Sequence, residues 1–381
     1  MDFILNEEQA ILKGSVARFS ADLRAAMDKK AVTAADRWGR YADMGLLGLP
    51  FDEDFGGFGG GGVETMIVAE EMGRHLLTDP YIPVVAVAGR LLADHCSEEQ
   101  KAYLLPRVAD GSLIVVPAFG EPKSRYSLSR VATTAVPSKD GFVLDGRKAV
   151  VLSGAEADLL LVTARLSGEA GDEDGIGVFL VSGDLPGVTR RPVLTVDGRE
   201  AAEIVLDGVR VDKTATLGNL GQGGAIARRA EEFGVAALAG EAVGAMSAVF
   251  DMTVEYLQTR RQFGVPIGKF QALQHRVVDM RVALELARSI AAGAAIAADL
   301  DNAQERRRII SAAKVQVCRS GRYIGQQAIQ LHGAMGMTDE YGAGRYFKRL
   351  LVLSSLYGDA DHHLERFVSA SQYGEGGALV A

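Results

Sequence analysis

Cysteine is scarce in this 381-residue chain, which contains only Cys96 and Cys318. Two cysteines so far apart predict neither a disulfide framework nor a thiolate metal site, and they favour a reducing compartment. No apolar run approaches the roughly 20 residues that a membrane-spanning helix needs, so we expect no membrane partner. The first residues, MDFILNEEQA, lack the basic segment of a secretory signal. Together these absences predict a cytoplasmic protein.

Positive charge is also in deficit, because 41 basic side chains stand against 49 acidic ones and the net charge is -8. This balance gives no support for binding to nucleic acid. Hydrophobic residues make up 48% and charged residues 24%, as in ordinary globular proteins. The length of 381 residues predicts two or three domains, each able to bury a core.

Strand patterns are nearly absent from residues 6–111, where apolar residues recur at helical spacing. Residues 1–112 therefore predict a helical N-terminal domain. Gly57, Gly59 and Gly62 match the G-x-G-x-x-G pattern of dinucleotide-binding loops. That pattern should follow an apolar strand, whereas an acidic run, residues 52–54, precedes it here. We therefore interpret it as a connection between two helices.

Short alternating or β-branched segments follow in residues 113–209, separated by turn signals such as Asp145-Gly146. Residues 113–220 therefore predict a small, barrel-like, all-β middle domain. The turns are too short for crossover helices, so we expect no parallel strand pairing.

Helical periodicity returns in residues 221–381 and predicts a C-terminal four-helix bundle. The helix through residues 235–260 is rich in alanine and glycine, and such small residues let helices approach closely. The next helix is predicted to bury one apolar stripe, which consists of Val277, Met280, Leu284, Ala287 and Ala291.

The segment RRQFGVPIGKFQALQ, residues 260–274, interrupts the helical pattern. Pro266 and the two glycines break the helix, since proline lacks an amide proton and glycine disfavours helical order. The break exposes the guanidinium of Arg260, a fork of donors that suits a phosphate or pyrophosphate. From these residues alone, a helix corner with a solvated arginine pair is an equally good interpretation.

This segment resembles the R-x-x-F-G-x-P-I-x-x-F-Q signature of the acyl-CoA dehydrogenase family, flavoproteins that desaturate acyl-CoA thioesters. A second family signature, Q-x-x-G-G-x-G, is similar to QLHGAMG at residues 330–336, where Ala334 replaces the second glycine. The resemblance covers about residues 1 to 370 and is greatest to heteromeric members that act on pimeloyl-CoA and on steroid side chains. Every fixed position of the first signature is met, by Arg260, Phe263, Gly264, Pro266, Ile267, Phe270 and Gln271.

The resemblance implies an FAD cofactor held at an interface between two chains. In the family the arginine binds the FAD pyrophosphate, and the glutamine-glycine turn of the other chain lies against the same cofactor. The implied partners are an acyl-CoA substrate, a homologous acyl-CoA dehydrogenase subunit in a dimer or heterotetramer, and an electron acceptor such as an electron-transfer flavoprotein. The implied cofactor-binding residues are Arg260, Phe263, Gln271, Gln330, Gly333, Ala334 and Ser153.

Two flavin-binding motifs of the family are altered in this chain. Residues 120–127 read GEPKSRYS where the family has T-E-P-G-A-G-S-D, and residues 150–153 read VVLS where it has W-I-T-N. The indole and hydroxyls that border the flavin in the family are therefore missing. Ser153 is the nearest polar side chain left at these positions.

The catalytic carboxylate of the family is missing as well. Tyr357 stands at the usual glutamate position and Gly234 at the alternative position on an earlier helix. A phenol titrates near 10, so Tyr357 is a weak base. Asp359 and Glu241 are the internal candidates for the base. Glu241 lies in an alanine-rich run, however, where a buried carboxylate needs a partner, so pairing with an arginine is favoured over catalysis.

Two hypotheses about function follow. The chain is either an FAD-dependent acyl-CoA dehydrogenase whose active site is completed by a partner, or a catalytically silent subunit that scaffolds an intact homologue. His362 and His363 are adjacent and lack the spacing of metal ligands, so we predict a surface or interface role and no metal. Glu231 and Glu232 are predicted to lie on a solvated helix face.

Overall fold

A computed structural model describes residues 5–338 and 341–370 of the chain. The N-terminal part consists of helices. The start of the first is a capping box: Asn6 Oδ1 accepts from Gln9 N at 2.8 Å, and Gln9 Oε1 accepts from Asn6 N at 3.1 Å. The α-helices of this part are α1 (Glu7–Asp28), α2 (Ala34–Asp43), α3 (Gly62–His75), α4 (Arg90–His95) and α5 (Glu98–Ala109).

The glycine-rich turn before α3 leads from one helical segment to another, as the sequence predicted. A three-residue 3-10 turn, Glu53–Phe55, precedes it, and α3 begins at Gly62. The first amide of α3, Gly62 N, donates to Asp299 Oδ2 at 2.7 Å. A carboxylate of the chain itself therefore takes the place where a helix N-terminus would bind a phosphate.

A π-helical segment, Ile82–Gly89, leads into α4, and all of its residues are buried. π-Helices are rare and are frequently found at functional sites. Its second residue, Pro83, lines the cavity that we describe below.

The middle part is an eight-stranded sheet with the strand order β6-β7-β3-β2-β4-β5-β8, in which β1 pairs with β4. Most neighbours are antiparallel, but β1 runs parallel to β4 and β2 meets β4 in parallel at one residue pair. The strands are β1 (Val115–Ala118), β2 (Thr134–Pro137), β3 (Gly141–Leu152), β4 (Leu159–Arg165), β5 (Ile176–Ser182), β6 (Val188–Leu194), β7 (Glu200–Asp212) and β8 (Thr216–Leu217).

The prediction of no parallel pairing is therefore wrong. Parallel neighbours need a connection of a dozen or more residues, which is usually a helix. Here residues 119–158, which include the antiparallel pair β2 and β3, provide that connection. The turns between consecutive strands are indeed short, but β1 and β4 are not consecutive.

A β-bulge in β3 lies next to the cavity described below. From Lys148 to Val151, β3 advances by three residues while β7 advances by two, from Ile204 to Ala202. Val150 lies in this bulge with a φ of 53°, a strained conformation for a β-branched residue. Bulges re-aim side chains near functional sites, and this one places Val150 in the cavity wall.

The C-terminal part is a helical bundle in which the helix Ala303–His332, α8, contacts each of the other helices of the bundle. The apolar stripe predicted on α7 is largely confirmed, because Met280, Leu284, Ala287 and Ala291 are buried. The helices are α6 (Gly223–Thr259), α7 (Gln271–Ala297), α8 (Ala303–His332), α9 (Ala343–Ser355) and α10 (Ala360–Ala370), and a short hairpin, β9 (Arg261–Gln262) and β10 (Val265–Pro266), joins α6 to α7.

Helix α6 is the central element of the molecule, since it contacts α3, α7, α8, α9 and the π-helical segment. Contrary to the expectation from sequence, it is long and apolar enough to cross a membrane, but 94% of its most apolar window is buried inside the protein. A core helix that is hydrophobic all round has this character. Its glycines permit close packing, because a Cβ at Gly244 would collide with the backbone of α3 at Glu70.

Candidate active site

A cavity of about 430 Å³ lies where the three parts of the chain meet, and we call it the central cavity. This volume is in the range of small-molecule sites. The π-helical segment, the sheet, α6 and the loop after α9 all contribute to its wall. The lining residues used below are Glu121, Arg125, Tyr126, Val150, Glu231 and Tyr357.

The two positions at which the family places its base are in contact with each other. A Cβ built on Gly234 would lie only 2.7 Å from Cε2 of Tyr357, so the phenol ring covers the glycine. Tyr357 has a φ of 54°, which is uncommon for a residue other than glycine. Burial raises the pKa of Tyr357 well above its ordinary value, so the phenol stays protonated at neutral pH. One ring therefore fills both positions and offers no base.

Buried polar side chains hold the loop that carries Tyr357. Lys314 Nζ donates to the carbonyls of Leu353 and Leu356 at 2.6 and 2.7 Å. His363 Nε2 bonds the carbonyl of Tyr357 at 2.7 Å, and His363 Nδ1 lies 3.3 Å from the hydroxyl of Ser311. Burial lowers the pKa of His363 to about 4, so the ring is neutral at pH 7.

The prediction of a surface role is wrong for His363, which is 1% exposed. Sequence alone could not show this, because residues 362 and 363 are equally polar and the wall that covers His363 comes from α8. The neighbouring His362 is half-buried, and its ring lies 5.3 Å from that of Tyr126. The pair therefore belongs to the packing around the Tyr357 loop.

Glu231 and Glu232 are also buried, which contradicts the predicted solvated face. Glu232 Oε2 accepts from Arg306 Nε at 2.5 Å. Glu231 lines the central cavity, lies 3.3 Å from His362 Nε2 and is in close contact with Arg366. Buried carboxylates of this kind need cationic partners, and these partners come from α8 and α10, far along the sequence.

Glu231, His362 and His363 bring three potential metal-ligand atoms within 4.8 Å of one another. No sequence pattern indicated this cluster, because Glu231 is distant from the two histidines in the chain. Both ring nitrogens of His363 already have partners, and the second oxygen of Glu231 faces Arg366. We therefore describe the group as a hydrogen-bonded cluster.

The altered flavin loop, residues 120–127, is anchored by Glu121. Its Oε1 accepts from Lys148 Nζ and Thr133 Oγ1, each at 2.6 Å, and its Oε2 accepts from Ala132 N at 2.8 Å. Lys148 is fully buried, and burial lowers its pKa to about 8. The support of the loop is thus intact although its outward residues differ from those of the family.

Ser153 does not reach the central cavity. It lines a neighbouring cavity of about 720 Å³, which we call the second cavity. The two cavities share the lining residues Pro83, Leu152 and Leu356. A direct role for the Ser153 hydroxyl in the central cavity is therefore not supported.

Asp359 acts as the N-cap of α10. Its Oδ1 accepts from His362 N at 2.9 Å, and its Oδ2 lies 3.3 Å from Arg125 Nη2. The backbone hydrogen bond from His362 is the main reason why the pKa of Asp359 is lowered. This geometry favours a structural role over that of a base.

Glu241 is fully buried and paired with two arginines, as the sequence predicted. Arg349 binds it through two bonds of 2.8 and 2.7 Å, and Arg199 donates to it at 2.7 Å. Arg349 also donates to Asp197 at 2.9 Å, and Arg199 to the carbonyl of Leu77 at 2.8 Å. This network joins all three parts of the chain. Glu241 does not line the central cavity, so the structure does not favour it as the base.

The residues of the two signatures lie on the surface of the single chain. Arg260, Gln271 and Gln330 are exposed, Phe263 is 90% exposed, and the turn at Gly333 and Ala334 is exposed as well. No partner binds the Arg260 guanidinium within residues 5–338 and 341–370. An open donor and a largely exposed aromatic ring are features of a surface that another molecule covers.

Sequence reasoning missed a second apolar stripe on α7. Val278, Val282 and Leu286 are spaced four residues apart and are 59%, 54% and 54% exposed. Residues four apart share a helix face, so the signal was present in the sequence. Exposed stripes of this kind mark interaction surfaces. Below we call these three residues the α7 stripe.

A helical domain, a mixed sheet and a helical bundle around one central cavity define the class of three-domain acyl-CoA oxidoreductases. Family models of the acyl-CoA dehydrogenase N-terminal, middle and C-terminal domains match residues 6–112, 117–209 and 221–370. The chain belongs to the acyl-CoA dehydrogenase family, whose members are FAD-dependent oxidoreductases acting on CH-CH bonds.

Three similar proteins illustrate the range of this family. Acryloyl-CoA reductase (NADH) of Anaerotignum propionicum is 27% identical over 95% of this chain and 94% of its own length. The structure of a variant of the Tcur3481-Tcur3483 steroid ACAD is 31% identical, with a TM-score of 0.83 over 96% of this chain and 97% of its own. The structure of PigA with FAD and proline is 25% identical, with a TM-score of 0.88 over 97% and 98%.

Proposed function

We propose that this chain is one subunit of a heteromeric, FAD-dependent acyl-CoA dehydrogenase in which a homologous subunit supplies the catalytic base. The observation that carries the proposal is the contact between Tyr357 and Gly234. It fills both base positions of the family with a protonated phenol. A similar protein, the Tcur3481-Tcur3483 steroid ACAD, pairs two named components, which supports this proposal.

We propose that the flavin site consists of two sets of residues, one from each of two chains, and that both sets are exposed on the single chain. Arg260, Phe263 and Gln271 would hold the pyrophosphate end of FAD, because the guanidinium has free donors suited to it. Gln330, Gly333 and Ala334 of another chain would lie against the same cofactor. Both sets are exposed on this chain, which supports a site completed by assembly. The α7 stripe supplies apolar area for that contact.

The fit of the flavin ring to the central cavity is partial. The cavity has the size of a small-molecule site, and its strained wall at Arg125, Val150 and Tyr357 is typical of ligand clamps. The hydroxyls that border the flavin in the family are absent from this wall. We therefore assign to this chain the phosphate end of the cofactor and propose that a partner chain completes the ring site.

The chemistry that FAD supplies when bound is acceptance of a hydride from the β-carbon of the acyl group. The residues of this chain would position the thioester. The amide of Tyr357 has no backbone partner within the described residues and is available to the thioester carbonyl. Lys314 and His363 hold the loop that carries this amide. Aimed donors of this kind stabilise developing enolate charge, while the α-proton must go to a carboxylate from elsewhere.

The proposal is tested by restoring a carboxylate. Tyr357→Glu places an ionised acid in the central cavity, and general-base catalysis contributes about 10²- to 10⁴-fold. We expect the variant, assembled with a homologous partner whose own base has been removed, to gain flavin reduction by an acyl-CoA in a single turnover. Tyr357→Gln, which has the same shape as the glutamate, should gain none in the same assembly. The wild-type chain should be active only with a partner that keeps its base.

The alternative is a silent scaffold, and the same protonated phenol favours it. A scaffold would show no flavin reduction in the Tyr357→Glu variant and would raise the activity of a partner that already reduces its own flavin. Fast reduction by the isolated wild-type chain would contradict both views. The proposal also includes an electron-transfer flavoprotein as acceptor, a cytoplasmic location and domain boundaries at 112/113 and 220/221. The two buried cysteines without a disulfide support the location. The change from helix to strand near the first boundary, and from strand to helix near the second, supports the boundaries.

A further inference from the structure

The strongest unassigned feature is a cavity of about 400 Å³ at a corner between the N-terminal helices, the sheet and α9, which we call the corner cavity. The walls of this cavity carry an excess of basic side chains. Five of its lining residues are basic and one is acidic, in a chain whose net charge is -8. The charged lining residues are Arg24, Arg199, Arg345, Lys348, Arg349 and Asp197.

Part of this charge is balanced within the protein. Arg349 and Arg199 share the carboxylates of Glu241 and Asp197, and Arg24 pairs with Asp28 at 2.5 Å. Among the described residues, five cationic groups thus face three anionic ones, which leaves an excess of two positive charges. Neither Arg345 nor Lys348 has a side-chain partner within residues 5–338 and 341–370.

The arrangement on α9 is unfavourable for the free chain. Arg345, Lys348 and Arg349 lie three and four residues apart, so they share one face, where like charges destabilise a helix. Helix α9 contains no acidic residue to relieve them. An anion in the corner cavity would remove this repulsion.

Arg199 offers donors at the floor of the cavity. Within the described residues its Nη2 donates to Leu77 and Glu241, while Nε lies 3.9 Å from Asp197. The side chain is 15% exposed, so Nη1 and Nε remain open to a ligand in a site that is only partly solvated. Guanidinium donors of this kind bind oxyanions through charge-assisted hydrogen bonds.

We propose that the corner cavity binds a phosphate-bearing small molecule, with Arg345 and Lys348 at its mouth and Arg199 at its floor. A phosphate carries about -1.5 to -2 charges at neutral pH and matches the excess of two, whereas a single carboxylate does not. Guanidinium forks and a lysine are the groups that recognise it. The corner cavity shares Arg199 and Arg349 with the second cavity but has no lining residue in common with the central cavity.

The test is calorimetric titration of the full chain with inorganic pyrophosphate at low and at high ionic strength. We expect saturable binding that weakens with salt. Arg345→Gln and Lys348→Gln should each lower the affinity about tenfold or more, as expected for loss of a charge-assisted contact. The matched controls are the single variants Arg210→Gln in β7 and Lys139→Gln in a turn of the sheet, each of which removes one exposed positive charge.

The outcomes separate the sources of the phosphate. If CoA binds with the same dependence on Arg345 and Lys348, the ligand is the phosphate arm of a CoA derivative; if only pyrophosphate does, it is a free polyphosphate. No binding by the wild-type chain, or equal loss in the control, overturns the proposal. Because the assay needs neither flavin nor turnover, its result is independent of the proposed dehydrogenase function.

Discussion

At the scale of single residues, the surroundings of Glu241 decide between a structural and a catalytic role for its carboxylate. Glu241 is fully buried and accepts hydrogen bonds from two guanidinium groups, so its carboxylate is held in structural ion pairs. Breaking a buried pair by removing one partner leaves an uncompensated charge, which costs about 3 to 5 kcal/mol.

We expect Glu241→Gln to lower the free energy of unfolding by about 3 to 5 kcal/mol, because Arg199 and Arg349 lose their shared anion. Denaturant titration measures this directly. The control is Glu203→Gln, which breaks the more exposed pairs with Arg147 and Arg191 and should cost about 1 kcal/mol or less. A Glu241→Gln chain as stable as the wild type, but unable to support flavin reduction, would instead point to catalysis.

His363 gives the fold a dependence on pH. Its pKa is about 4 in the folded chain because of burial, against about 6.5 for a free histidine. Between these values the unfolded chain binds more protons, so the free energy of unfolding falls as pH falls from about 6.5 to about 4. The loss is roughly 3 kcal/mol in total.

The pH prediction is checked by denaturant titration at several pH values. We expect His363→Gln to be less stable at neutral pH but to show a shallower decline on acidification. His275→Gln, at an exposed position of α7, should retain the slope of the wild type. An unchanged slope in His363→Gln would assign the acid sensitivity to other groups.

At the scale of elements, α8 positions the loop that carries Tyr357. Lys314 is a residue of α8 whose ammonium group binds two carbonyls at the C-terminal end of α9. Cations are favoured there by the helix dipole. The loop conformation thus depends on a contact between two helices as well as on the loop sequence.

Lys314→Met keeps the length of the side chain and removes both hydrogen bonds. We expect a loss of roughly 1.5 to 3 kcal/mol in the free energy of unfolding for these charge-assisted bonds. The C-terminal turn of α9 and residues 356–358 should also exchange amide hydrogen faster. Lys139→Met, in an exposed turn of the sheet, is the control. Unaltered exchange at residues 356–358 would show that the loop is held by other contacts.

The sequence predicted elements well and contacts between distant elements poorly. Helical spacing and turn residues are local signals, so the helical parts and the strand-rich middle followed from them. The parallel pairing of β1 with β4, the burial of His363 and the cluster around Glu231 all depend on residues far apart in the chain. Glu241 was an informative exception, because a carboxylate in an alanine-rich helix needs a cation wherever that cation comes from.

At the scale of the whole molecule, the single chain exposes side chains that are typical of an interface. The α7 stripe and Phe263 expose large apolar side chains, and Arg260 has no partner within the described part of the chain. Monomeric proteins rarely leave such a patch open. Assembly and flavin binding should therefore be coupled.

We expect Val282→Glu to dissociate the assembly and to reduce its flavin content, because a charge in an apolar interface is costly. Arg260→Ala should weaken FAD binding about tenfold to a hundredfold while the apolar contact persists. Gel filtration with light scattering and flavin absorbance measures both. Ile11→Glu, a matched change at an exposed position of α1, should alter neither. A Val282→Glu protein of unchanged size and colour would contradict the coupling.

The contact between Tyr357 and Gly234 has a consequence for the order of mutations. A glutamate cannot arise productively at residue 234 while the phenol ring covers it, since even a Cβ would lie 2.7 Å from the ring. A glutamate at residue 357 meets no such obstacle, because its side chain is smaller than the ring it replaces. A stepwise route to a base at residue 234 therefore needs a smaller side chain at residue 357 first, whereas a base at residue 357 needs one change only.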